Sequence, residues 1–277
     1  MAYRRAFVLG GGGHRGAFEV GMLKALLERG LRPDLIVGTS IGAFNGVVIA
    51  ERPTSEGVAR LEETWRHLTR EQIFEDSLWR RASIALRRRT HIHSNDSLRR
   101  IIEDTVSART FAELAVTFQC VAASIELARE HWFDQGNLVD AVLASSAVPG
   151  LLPPVELGGS HYIDGGVVNS IPISRAFELG ASEVYVLHVG HIDDPLTAPT
   201  QPWEVAMVAF EIARRGRFLR HMEHVPEGVT VHVLPTGKPD APYSDRSKLR
   251  YSDFTMIGER IDQAYRATAT YLDGKGA

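Results

Sequence analysis

Three short stretches of this chain hold residues whose types and spacing could do chemistry. They are the run from Gly10 through Gly13 followed by His14-Arg15-Gly16, then Gly38-Thr39-Ser40-Ile41-Gly42, and then Asp164-Gly165-Gly166. Gly-x-Ser-x-Gly is the pattern of a nucleophile elbow, a sharp strand-to-helix turn that lifts one hydroxyl above the edge of a sheet. Small residues flank the serine because the turn is strained and the chain passes close to its neighbours. Glycines between a strand and a helix present backbone amides to an anion, with the positive end of the helix behind them. That anion could be a nucleotide pyrophosphate, or the oxygen of a carbonyl under attack.

Gly11-x-Gly13-x-x-Gly16 meets the dinucleotide fingerprint letter for letter. The fingerprint also requires an acidic residue about 20 positions on, at the far end of the second strand. Asp34 lies near that distance but opens the second β-type run, and the end of that run carries the Ser40 elbow instead. The glycines therefore read as an oxyanion hole. The amides of Gly11, Gly12 and Gly13 would point at the oxygen of a carbonyl that Ser40 attacks, and Arg15 would steady the loop or add positive potential. Such donors act where charge develops, and losing one costs roughly 2.7–4 kcal/mol of barrier. Asp164 offers a base, and Gly165 and Gly166 would let its carboxylate approach another loop closely. An aspartate of ordinary pKa, about 3.9, is a poor base in water. Exclusion of water and direct contact with the hydroxyl make the transfer workable. Taken alone, Asp-Gly-Gly also reads as a plain turn.

Both glycine-flanked turns need parallel strands that end at the same edge of a sheet. The pattern supplies them. Residues 6–10 and 34–40 read as buried strands, each running into a helix, at 17–30 and 41–51. In the first helix Phe18, Met22 and Leu26 recur at helical spacing. Residues 56–110 read as mostly helical and arginine-rich, with Arg80-Arg81, Arg87-Arg88-Arg89 and Arg99-Arg100. Residues 115–125 form the next strand, and the stretch from Arg129 turns back as a hairpin. Asn137 reads as an N-cap, with Asp140 at the third helical position and Pro149 as the stop. A short β-type run at 161–163 leads into Asp164. Strands follow at 183–190 and 229–235, with helices at about 203–222 and 254–272. Alternating strands and helices imply an α/β domain with a mostly parallel sheet covered on both faces, and 1–277 reads as one domain.

The bulk numbers bound the function. Of 277 residues, 44% are hydrophobic and 23% charged, which is ample for a buried core. A net charge of −3 gives no general attraction to nucleic acid or to an anionic membrane. The single cysteine, Cys120, has no partner for an internal disulfide and reads as a core residue. The apolar run after Arg4-Arg5 is too short for a signal peptide, and no segment reaches the roughly 18 apolar residues of a membrane span. The expectation is a soluble, cytoplasmic chain.

The three motifs, in this order, resemble those of the patatin-like phospholipases, of the short bacterial single-domain kind. The block at 144–155, Ala-Ser-Ser-Ala-Val-Pro-Gly-Leu-Leu-Pro-Pro-Val, is similar to that family's proline segment. The resemblance extends over about residues 5–190. It implies a three-layer α/β/α fold, a Ser–Asp dyad without a catalytic histidine, and lipid acyl hydrolysis with no metal or cofactor. Carried over, Ser40 is the nucleophile, Asp164 the base and residues 11–13 the oxyanion loop. His14, His161 and His188 are read as bystanders. Acyl transfer through the same acyl-enzyme stays open, as does a non-enzymatic regulatory or membrane-binding role on the same fold. The basic segment and the amphipathic stretch 202–222 could touch a lipid surface transiently, but a solvated helix face and a core-packing helix are the preferred readings of them.

Overall fold

The computed structural model describes residues 3–68, 93–189, 192, 195–237 and 256–275. The arginine pairs and triplet at 80–81 and 87–89 lie outside these residues, as does the side chain of Trp203. Five parallel strands form the body of the sheet. In chain order they are β1 (Arg5–Leu9), β2 (Leu35–Thr39), β3 (Thr117–Ser124), and, later, β7 (Glu183–Leu187) and β8 (Thr230–Val233). Between β3 and β7 come β4 (Arg129–Phe133), β5 (Val155–Leu157) and β6 (Ser160–Asp164). The spatial order is β5-β6-β3-β2-β1-β7-β8, with β4 also on β3. Pairs β3–β2, β2–β1, β1–β7 and β7–β8 are parallel, whereas β4–β3, β6–β3 and β5–β6 are antiparallel. The sheet is thus mixed: parallel through its centre and antiparallel at the edge that delivers Asp164.

Alternation along the central strands sends side chains into two cores. Phe7 and Leu9 of β1, with Ile36 of β2 and Tyr185 and Leu187 of β7, lie in one cluster. Ala6, Val8, Leu35, Val37, Val184 and Val186 lie in the other. The first face is covered by α1 (Gly16–Glu28), α2 (Ile41–Glu51), α3 (Ser55–His67) and the helices α4 (Asp96–Thr105) and α5 (Leu138–Ser145). The short helices α6 (Gly166–Asn169) and α7 (Ile173–Glu178) follow β6, and Ile173 and Ala176 of α7 join the second face. There Phe218 of α8 (Pro202–Glu223) packs beside them. The C-terminal helix α9 (Ile257–Lys275) returns to the first face. It crosses α1 so closely that a methyl on Gly21 would stand 2.2 Å from the Ile261 carbonyl oxygen. This crossing is why α1 is buried nearly all round, rather than along the Phe18–Met22–Leu26 stripe alone.

Local details follow the chain's own signals. The Asn137 side chain accepts from the Asp140 amide at 3.0 Å, the N-cap that the sequence implies. Helix α5 ends at Ser145, four residues before Pro149. Its terminal carbonyls are drawn away, with Ser145 accepting from the Gly165 amide (3.1 Å) and Ala147 from the Asp164 amide (2.9 Å). Arg99 is not a free surface cation, since it pairs with Asp140 at 2.5 Å. Among the described residues, no helix is long and apolar enough to cross a membrane.

Candidate active site

The carboxyl ends of β1 and β2 carry the glycine loop and the serine turn, and the end of β6 carries the aspartate. Ser40 occupies the junction between β2 and α2 with φ 55° and ψ −123°, the strained left-handed conformation of an elbow. A residue with a side chain rarely sits there, and here the surroundings hold it. Its carbonyl accepts from the amides of Ala43 (2.8 Å) and Phe44 (3.2 Å), which opens α2. Its own amide donates to Ser145 Oγ at 2.9 Å. The flanking glycines are needed for close approach. A methyl on Gly42 would lie 2.4 Å from the Leu9 carbonyl oxygen, and one on Gly38 would lie 2.6 Å from the Gly42 carbonyl oxygen.

Ser40 Oγ donates to Asp164 Oδ2 at 2.5 Å. The other carboxylate oxygen, Oδ1, accepts from the Gly166 amide at 2.7 Å. Both side chains are buried, at 8% and 6% exposure. Burial pushes the Asp164 carboxyl up to about 6, against the opposing pull of its hydrogen bonds from Ser40 and Gly166. Gly165 is fixed by packing, because a methyl there would stand 2.1 Å from the Val121 carbonyl oxygen. The turn after Asp164 thus lies directly on β3, the strand beside the one that carries Ser40. Among the described residues neither Ser40 nor Asp164 has a histidine partner.

The glycine loop lies against the nucleophile. A methyl on Gly11 would be 3.4 Å from Ser40 Cβ and equally close to Ser170 Oγ. One of the three amides expected to hold an oxyanion is already committed, however, since Gly11 donates to the Ser170 carbonyl at 2.9 Å. The reason is topological: the first amide past β1, that of Gly10, continues the sheet by donating to the Leu187 carbonyl (3.0 Å), and residue 170, which follows the Asp164 turn, takes up the next one. The donors left in this loop are the amides of Gly12 and Gly13, next to a 3-10 turn at Gly13–Arg15 that leads into α1. Arg15 is half-buried within that turn and His14 is buried there.

Beneath the loop lies a polar cluster that pattern alone does not reveal. Glu19 of α1 is fully buried, and Asn45 of α2 donates to its Oε2 (2.7 Å) and to the Gly16 carbonyl (3.0 Å). Trp65 of α3 donates to Asn45 Oδ1 at 2.8 Å. Burial holds the Glu19 carboxyl well above the usual range, despite its hydrogen bond from Asn45. Helix α2 is thereby pinned to the first turn of α1, and α3 to α2. Ser145 and Ser170 were equally invisible as site residues, although Ser145 falls in the 144–155 block. Of the histidines, His161 pairs with Glu126 at 2.7 Å on the surface, and His188 lies on the Gly10 side of the loop.

A buried serine in a strained strand-to-helix turn, touching a buried carboxylate beside a glycine loop, is the arrangement of a serine hydrolase centre. The patatin-like phospholipase family model matches residues 7–177. The chain belongs to that family. It is 33% identical over 187 residues to lysophospholipase nte1 of Aspergillus terreus, and 32% identical over 189 residues to a patatin-like phospholipase domain-containing protein of Caenorhabditis elegans. Each alignment takes in 68% of this chain but only 12% and 14% of those relatives, so this chain corresponds to a small part of each. Among solved structures it is similar to VipD from Legionella pneumophila, with a TM-score of 0.50 and 14% identity over 99% of this chain and 67% of that one. At that identity the likeness concerns the fold, a mixed sheet with helices on both sides.

Proposed function

We propose that this chain hydrolyses lipid acyl esters, in the manner of a phospholipase A or lysophospholipase, through a Ser40–Asp164 dyad. The observation that carries the reading is the 2.5 Å contact between Ser40 Oγ and the buried Asp164 carboxylate. Asp164, ionised at neutral pH, takes the hydroxyl proton as Oγ bonds to the ester carbonyl carbon. The electron pair moves onto the carbonyl oxygen, where the Gly12 and Gly13 amides stabilise it. The tetrahedral species collapses, the carbon–oxygen bond to the alcohol breaks, and the leaving alcohol takes the proton from Asp164. Water then attacks the acyl-enzyme, gives its proton to Asp164 and releases the fatty acid. The proton returns to Ser40 Oγ. The relatives' names support a lysophospholipid as first substrate.

The stripe Val205, Ile212 and Leu219 is exposed along one side of α8 at seven-residue spacing. The same helix brings Phe210 to 3.6 Å from where a methyl on Gly166 would stand. This supports a transient contact with a lipid surface next to the site. The test is fatty-acid release from lysophosphatidylcholine and from phosphatidylcholine vesicles by the wild type, Ser40→Ala and Asp164→Asn. Loss of release in both variants is expected. A second lysolipid, supplied as acceptor, separates transfer from hydrolysis by the appearance of a diacyl product. Undiminished release by folded Ser40→Ala overturns the assignment.

A further inference from the structure

One residue outside the three motifs touches both halves of the site, the serine turn through its side chain and the aspartate turn through its backbone. Ser145, the last residue of α5, is fully buried. Its hydroxyl accepts from the Ser40 amide at 2.9 Å and donates to the Val121 carbonyl of β3 at 2.7 Å. Its own carbonyl accepts from the Gly165 amide at 3.1 Å, directly after the aspartate. The next carbonyl but one, that of Ala147, accepts from the Asp164 amide at 2.9 Å. Val121 pairs with Thr39 in the sheet, and its carbonyl is the atom against which Gly165 packs. Nucleophile, base turn and the strand beneath them therefore converge on one residue.

Resting on the reading of Ser40 as nucleophile and Asp164 as base, we infer that Ser145 is the positioning residue that sets their geometry. The chemistry required at this position is narrow. The left-handed turn at Ser40 takes its amide out of the β2 ladder and leaves it with no backbone acceptor. A group is needed that accepts from that amide and donates to Val121 at the same time, which a hydroxyl does and alanine cannot. Without the hydroxyl, the strained turn loses the tie that fixes Ser40 relative to Asp164. Misplacement of a reacting group by about 1 Å can cost about 10²-fold in rate.

The experiment uses the full chain with p-nitrophenyl butyrate, comparing wild type, Ser145→Ala, Ser145→Cys, Ser40→Ala and Thr268→Val. Thr268 is equally buried, hydrogen-bonded through its hydroxyl to Pro235, and remote from the site on α9, so it controls for loss of stability. Ser145→Ala is expected to lower kcat about 10–100-fold with KM changed less than about threefold. The acid limb of its pH profile moves upward, because the Ser40 hydrogen bond that holds the Asp164 carboxyl down is weakened. Thr268→Val keeps its kcat and its acid limb. Should Ser145→Ala not fold, Ser145→Cys preserves the volume while weakening both hydrogen bonds, and a loss of about tenfold or more in kcat is expected. A folded Ser145 variant within threefold of wild type, with an unmoved acid limb, overturns the inference while Ser40→Ala remains inactive. Full activity in Ser40→Ala is a different failure, since it removes the dyad itself.

Discussion

Replacing Asp164 with asparagine is expected to abolish turnover and, at neutral pH, to make the folded protein more stable. The carboxyl is raised from 3.8 to about 6 by burial, so the folded state disfavours its ionised form by about two units. At 1.36 kcal/mol per unit this is about 3 kcal/mol. A raised carboxyl contributes no penalty below its unfolded value, where both states are protonated. Stability falls as the pH rises from about 4 to about 6, and the full cost is present above that. Asparagine removes the charge but offers one acceptor oxygen to two donors, Ser40 Oγ and the Gly166 amide. Allowing about 1 kcal/mol for that mismatch, the net gain is about 2 kcal/mol at neutral pH. For a chain of this size that corresponds to roughly 4–8 °C in Tm. Thermal melts followed by circular dichroism at about pH 7.5 and about pH 5 measure it. The variant should melt higher than wild type at the first pH and by a smaller margin at the second, with kcat lowered about 10²–10⁴-fold. A variant no more stable than wild type at neutral pH, with a margin independent of pH, would refute the burial argument.

The wild-type kcat/KM should rise with pH through a single step near 6 and then level off, because the base must be ionised; a step near 4 would place Asp164 in water. Gly12→Ala puts a methyl 2.0 Å from Val189 Cγ2, so the loop must shift, and kcat should fall about 10²-fold with little loss of Tm. Gly42→Ala meets the Leu9 backbone at 2.4 Å and should cost about 3 kcal/mol or more in urea unfolding. Glu19→Gln, which keeps the shape of a carboxyl whose ionised form burial disfavours, should leave kcat within a few-fold and not lower the neutral-pH Tm, whereas Glu19→Ala should lower both.

The local motifs were legible because each is a property of a few adjacent residues. A strand running into a glycine-flanked turn and then a helix can be read at 6–16 and at 34–51 without knowing what lies beside it. The N-cap at Asn137 is local in the same way. The antiparallel edge was harder, since β5 has three residues and β6 five, and neither alternates cleanly. What could not be read were the contacts between distant segments. Ser145 meets Ser40 across 105 positions and Asp164 meets it across 124. The aspartate was found because Asp-Gly-Gly has a pattern, whereas a single serine at a helix end has none. The commitment of the Gly11 amide to Ser170 is a backbone contact that side-chain identity does not encode. Glu19 reads as a charged helix residue, and only the packing of α2 and α3 against α1, through Asn45 and Trp65, shows that it is buried.

The central claim is that Ser40 is the nucleophile, and the most direct measurement is the site of covalent capture. Wild type treated with a fluorophosphonate probe should gain a single adduct in its intact mass, and peptide mapping should place it on Ser40. Asp164→Asn should label far more slowly, and folded Ser40→Ala not at all. An adduct on another residue, or Ser40→Ala labelled at the wild-type rate, would contradict the account.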